Sequence, residues 1–197
     1  MMAYASFFPG AGQGNRKSLG VKQRWTGASS FDSMTDKSAT TESSRLQAEI
    51  GQTRPFESAA EEALLGVART ASMIDRALMH SLAPHKLSPA QYNVLRILRG
   101  AGPGGLPTMA IRCRMIDPSA AITRLIDKLE KAGLAARSRL SDDRREVRCR
   151  ISPRGLELLA QLDPVLAATN ARLAAEIPTT ELKQLIDLLD QLRDSLG

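Results

Sequence analysis

The chain is poor in aromatic residues, cysteine and histidine, and each shortage removes a class of explanation. One Trp, two Tyr and four Phe make up 4% of 197 residues, and five of these seven (Tyr4, Phe7, Phe8, Trp25 and Phe31) lie in the first 31 positions. Beyond residue 53 there are only Phe56 and Tyr92, too few for a platform on which single-stranded nucleic acid could stack. Leu, Ala and Ile must then fill the core, which suits helices better than a sandwich of β-branched and aromatic strands. Cys113 and Cys149 are too few for a disulfide framework, and neither they nor His80 and His85 have metal-ligand spacing. There is no triad-like histidine constellation and no glycine motif leading into Lys-Ser/Thr, so neither an enzyme nor a bound cofactor is expected. No run approaches the roughly 18 to 20 apolar residues that cross a bilayer. The N-terminus lacks a basic segment followed by a continuous apolar stretch, so a cytoplasmic location without membrane contact is expected.

What the chain does have is a concentrated positive charge. The net charge is +6, and the span from Arg112 to Arg154 carries 12 basic and 6 acidic residues, seven of the basic ones being arginines from Arg137 onward. Elsewhere Lys/Arg and Asp/Glu cancel. A positive patch focused on one part of a neutral body is an electrostatic footprint for phosphate. The segment after Gly155 has seven Asp/Glu against three Lys/Arg, which makes it a poor phosphate contact.

Residues 1–53 are rich in Ser, Thr, Gly and Gln without sustained periodicity and read as a disordered tail. Met34, which opens Thr35-Asp36-Lys37-Ser38, is an alternative start. The periodic remainder, 54–197, reads as one functional domain. From Phe56, the residues Leu64, Val67, Ala68, Ala71, Ile74, Leu78 and Leu82 form one helical stripe that needs a partner to cover it. Ser88-Pro89-Ala90-Gln91 is a capping-box start with proline at the first helical position, and the run Gly100 to Gly105 ends that helix. A short helix is expected from about Thr108 to Met115. Asp117-Pro118 then caps another that runs to Gly133, a C-terminal glycine in the left-handed conformation. Val147, Cys149 and Ile151 alternate with Arg148, Arg150 and Ser152, the period of a half-buried strand, with Arg137 and Arg139 on its partner strand. Ser152-Pro153 starts a further helix. The last helix follows Pro178 and aligns Leu182, Leu185, Ile186, Leu189, Leu192 and Leu196 on one face.

Helix, short helix, capped helix and basic hairpin form the order of a winged helix-turn-helix, in which the capped helix enters the major groove and the hairpin lies along the flanking backbone. On a helical wheel Ile122, Leu125, Ile126 and Leu129 gather on one side. Ala120, Thr123, Arg124, Asp127 and Lys131 take the other, with Ser119 at the first turn. Alone, that second face would read equally well as a solvated surface. The arginine hairpin directly downstream tips the balance toward a groove contact.

The sequence Ile122-Thr-Arg-Leu-Ile-Asp-Lys-Leu-Glu-Lys-Ala-Gly-Leu134, followed by Arg137, Asp142-Asp-Arg-Arg145, Val147 and Ile151-Ser-Pro-Arg-Gly155, resembles the signature of MarR-family transcriptional regulators. The resemblance covers about residues 56–197. It implies a mainly α fold, a winged helix-turn-helix (88–154) with a two-stranded β-wing and flanking dimerisation helices (56–86 and 155–197). It also implies a sequence-specific regulator that binds double-stranded DNA, a ligand-responsive repressor acting as a homodimer on a pseudo-palindromic operator, with Asp143 orienting Arg145 in the wing. The DNA-binding set is expected to be Ser119, Ala120, Thr123, Arg124, Lys128, Arg137, Arg139, Asp143, Arg144 and Arg145. The resemblance further implies a small-molecule effector pocket. Met79, His80, Tyr92 and Arg96 have suitable chemistry, but no residue is assigned to it. One departure is that Met109 to Asp117 is a residue longer than the commonest family spacing, with Arg114-Met115 where a small residue often turns. The alternative class is a non-specific or architectural nucleic-acid-binding protein. Cys149, inward on its strand, is expected to act as a small apolar filler. Cys113 lies between Arg112 and Arg114, but a packing role is expected for it in preference to thiol sensing.

Overall fold

The structure is a computed structural model that describes residues 44–139 and 147–196. The expectations for residues 1–43, including Met34, and for Asp143, Arg144 and Arg145 fall outside the described residues. The chain divides into two units, 1–63 and 64–197.

In the first unit, part of the stretch expected to be disordered is helical: α1 spans Arg45–Ile50. Ser44 caps it by accepting a hydrogen bond from the Gln47 amide, and Gly51 closes it at φ 68°. A six-residue helix carries too little apolar periodicity to be recognised, although both terminal signals are present in the sequence. The helix α2, Ala59–Leu82, begins in this unit with Glu61 and Glu62 in its first turn, where carboxylates favour the N-terminal end of the helix dipole.

In the second unit, α3 (Pro89–Ala101) starts as expected. The Ser88 hydroxyl accepts from the Gln91 amide and the Gln91 side chain accepts from the Ser88 amide, so both arms of the capping box are formed. A turn of 3-10 helix at Gly102–Gly104 leads into β1 (Leu106–Pro107), α4 (Thr108–Arg112), α5 (Ile122–Lys131), β2 (Ala135–Arg139) and β3 (Val147–Ile151). The expected two-stranded ribbon of β2 and β3 forms, and β1 adds a third strand at the other edge of β3, giving an antiparallel sheet in the order β1-β3-β2. Leu106 pairs with Cys149 and Pro107 with Arg148. A two-residue strand containing proline has no period to reveal it.

α6 (Pro153–Leu173) and α7 (Thr179–Asp194) complete the chain. The core joins α3, α4, α5, β3 and α6 through Val94, Leu95, Leu98, Ile111, Ile126, Leu129, Cys149, Leu159 and Leu162, with Leu82 from the end of α2. Arg99 of α3 forms a two-pronged ion pair with Asp163 of α6 at 2.8 and 3.1 Å. Ser81 of α2 shares a 2.9 Å hydrogen bond with Thr169 of α6. The apolar stripe of α2 is covered only at its end. Leu82 is buried and Leu78 half-buried, while Leu64, Val67 and Ile74 are 51%, 41% and 43% exposed. No residue of α7 is buried, and Leu185 and Ile186 are 45% and 50% exposed. Both helices therefore carry apolar faces that the described residues leave largely uncovered. Among the described residues, no helix is long and apolar enough to cross a membrane.

Candidate nucleic-acid interface

The turn ahead of α5 sets how that helix is presented. Asp117 accepts from both the amide and the hydroxyl of Ser119, at 2.9 and 2.6 Å, and these bonds hold its carboxyl below the usual carboxylate range. This is an Asx-type turn and not a helix cap, because the helix begins only at Ile122. Ser119 and Ala120 therefore precede the helix instead of forming its first turn. The Arg112 Nε donates to the Pro118 carbonyl at 3.0 Å, and the Ile116 amide donates to the Asn93 side chain at 3.0 Å, so α4 and α3 both hold this turn. Within this turn Met115 is buried and Ile116 exposed.

α5 then presents two faces, as the wheel predicts. Ile122, Ile126 and Leu129 are buried, whereas Thr123, Arg124 and Lys128 are exposed. Its end is a Schellman closure. Gly133, at φ 69°, donates to the Glu130 carbonyl, and the Leu134 amide donates to that of Leu129.

Arg137 differs most from the sequence expectation. Pairing of β2 with β3 sets Arg137 opposite Cys149, so it shares the inward face of the sheet with a fully buried residue. Its guanidinium bridges Asp127 at 2.6 Å and Glu130 at 2.5 Å, its amide donates to Glu130 at 2.7 Å, and a longer bond reaches the Thr123 carbonyl. Partial burial works against the charged form. The Asp127 bond and the two carboxylates outweigh it, and the pKa lies above the ordinary arginine value. Arg137 is thus fastened to the exposed side of α5 and ties the sheet to that helix. Asp127 and Glu130, unassigned from the sequence, are its partners. Arg139 pairs in register with Val147 at the outer end of the ribbon.

Burial raises the Cys149 thiol above its ordinary range, although the Thr108 hydroxyl and Arg137 partly oppose this. The folded state therefore holds that proton more tightly than the unfolded chain. Stability from this group is complete below the ordinary thiol range, about pH 8.5, and is lost as the pH rises above it. Melting temperature should consequently fall between pH 8 and 10, and Cys149→Ala should flatten that dependence. Under native conditions iodoacetamide should label the exposed Cys113 and leave Cys149 unmodified. Rapid labelling of both would contradict this geometry.

Residues 87–147 match the family model for the MarR family. YkoM, an uncharacterized HTH-type transcriptional regulator of Bacillus subtilis (strain 168), is 31% identical over 105 residues, covering 53% of this chain and 67% of that protein. The crystal structure of a MarR transcription factor from Planctomyces limnophilus is 34% identical, with TM-score 0.54, covering 70% of this chain and 99% of that one. CouR from Rhodococcus jostii RHA1, solved with bound p-coumaroyl-CoA, is 25% identical, with TM-score 0.58 and coverage of 70% and 95%. With a helix-turn-helix braced by a small sheet, and with these likenesses in both sequence and fold, the chain belongs to the MarR family of transcriptional regulators.

Proposed function

We propose that the chain works as a homodimer that binds a pseudo-palindromic site in double-stranded DNA and represses transcription until a small molecule releases it. In this reading residues 88–154 contact DNA, and 56–86 and 155–197 join the two copies. The observation that carries it is the pairing of an exposed Thr123, Arg124 and Lys128 surface, braced by Arg137, with uncovered apolar faces on α2 and α7. One such helix reads too few base pairs to be selective, and a two-fold pair would present two at a separation of one helical turn.

Thr123 and Arg124 are the base-reading candidates, and Ser119, Ala120 and Lys128 flank them. Arg139, Arg144 and Arg145 supply contacts to the DNA backbone, with Asp143 orienting Arg145. The effector role draws support from CouR, which was solved with p-coumaroyl-CoA.

Selection from randomised duplex DNA should enrich an inverted repeat with half-site centres roughly 34 Å apart. Light scattering at micromolar concentration should give twice the chain mass. Affinity should fall with salt at a slope of about −0.9 per phosphate neutralised. Comparable affinity for unrelated duplexes at physiological salt would instead identify a non-specific or architectural protein.

A further inference from the structure

A cleft of about 560 Å³ opens where the turn before α3, the end of α5 and the start of α6 meet. Its size lies within the range that holds a small organic ligand. Three cations from three separate elements line it: Lys86 from the turn after α2, Lys131 at the end of α5, and Arg154 in the first turn of α6. Glu157 is the one carboxylate of the lining, yet none of the three cations forms an ion pair among the described residues. The apolar part of the wall comes from Leu134, which is buried, and Leu158, which is half-buried. Gln91 accepts from the Ser88 amide through Oε1, which leaves its amide N–H groups for the cleft. The C-terminal carbonyls of α5 disfavour an anion here, and the first turn of α6 offers little in return, since Pro153 has no N–H and the Gly155 and Leu156 amides donate to Ser152. The side-chain charge then decides, and it is two units positive before any contribution from His85, which also lines the cleft.

We propose that this cleft binds a small phosphate monoester carrying a compact apolar group. The dianion matches the two-unit excess. Arg154 offers a planar fork to two phosphate oxygens, Lys86 and Lys131 approach as point charges, and the apolar substituent lies on Leu134 and Leu158. Because Lys131 ends α5 and Arg154 begins α6, the ligand fastens the exposed-face helix to the long helix behind it. The site does not depend on the DNA-binding reading, and its test needs no DNA.

Calorimetric titration of the full chain with phenyl phosphate should show saturable binding. Inorganic phosphate should bind more weakly, and benzyl alcohol should not bind. Lys86→Ala and Arg154→Gln should each weaken phenyl phosphate by roughly tenfold or more, as expected for loss of a charge-assisted bond. Glu157→Gln should tighten it by about two- to threefold, a gain that misfolding cannot mimic. Absence of saturable binding, equal binding of benzyl alcohol, or affinities unchanged by these substitutions would overturn the proposal. So would a result in which phenyl phosphate fails to bind while Lys86→Ala and Arg154→Gln each lower the salt slope of DNA binding by about one, since the cleft would then serve the nucleic-acid backbone.

Discussion

Gly155→Ala should destabilise the protein by about 3 kcal/mol and lower its melting temperature by roughly 6 to 12 °C, measured at fixed protein concentration. Helix propensity alone gives the opposite sign, since Gly155 lies in the first turn of α6 and alanine is favoured over glycine in helices by up to about 1 kcal/mol. The local packing decides otherwise. A Cβ at this position would sit 2.3 Å from the Leu134 carbonyl oxygen and 2.7 Å from Ile151 Cγ1. That carbonyl cannot retreat freely, because it accepts a 3.0 Å hydrogen bond from the Ser152 amide. The Ser152 hydroxyl in turn donates to the Gly133 carbonyl at 2.7 Å and accepts from the Gly155 amide at 3.0 Å. The end of α5 and the start of α6 are therefore stitched together through backbone groups and the Ser152 hydroxyl, and the missing side chain at Gly155 is what allows the approach. Gly100→Ala provides the control. Gly100 lies near the end of α3, and a Cβ there would meet nothing within 4 Å, so propensity should prevail and stability should be equal or higher. A Gly155→Ala protein as stable as the parent would refute the stitched junction.

The same junction shows what the sequence can reveal and what it cannot. Signals that act within a few residues are legible: the Ser88 capping box, the Gly133 closure, the Ser152-Pro153 start and the apolar face of α5 all form as read. The sequence places the start of α5 too early because a carboxylate that bonds an amide two residues ahead is common to a helix cap and to an Asx turn. Only the path of the chain after Ser119 separates the two. β1 and α1 escape a reading by pattern because two and six residues are too few for periodicity to register. The inward direction of Arg137 depends on strand register, a non-local quantity. Alternation along β3 identifies Cys149 as inward, but only the pairing of β2 with β3 places Arg137 opposite it. A charge count then assigns to phosphate an arginine whose bonds in the structure are to carboxylates.

Arg137→Ala should weaken binding of the enriched DNA site by at least about tenfold, while changing the salt slope by well under one unit. Two effects produce the loss. Removing the guanidinium leaves Asp127 and Glu130 without their shared counter-charge on the helix that presents Thr123, Arg124 and Lys128, and two carboxylates there oppose phosphate. It also releases the tie between β2 and α5, so the helix and the wing no longer hold one relative orientation. An arginine that contacted phosphate directly would instead lower the slope by about one when lost. The two roles therefore separate in the salt dependence, even where the affinities fall equally. A second separation comes from coupling. Since Arg137 acts through Asp127 and Glu130, adding Asp127→Asn and Glu130→Gln to the Arg137→Ala protein should restore part of the affinity, because the uncompensated charge is gone. The same pair in the parent should weaken binding by freeing one end of the tie. If the triple substitution binds no better than Arg137→Ala, or if the slope falls by a full unit, Arg137 is a phosphate ligand and the clamp observed between sheet and helix opens on DNA.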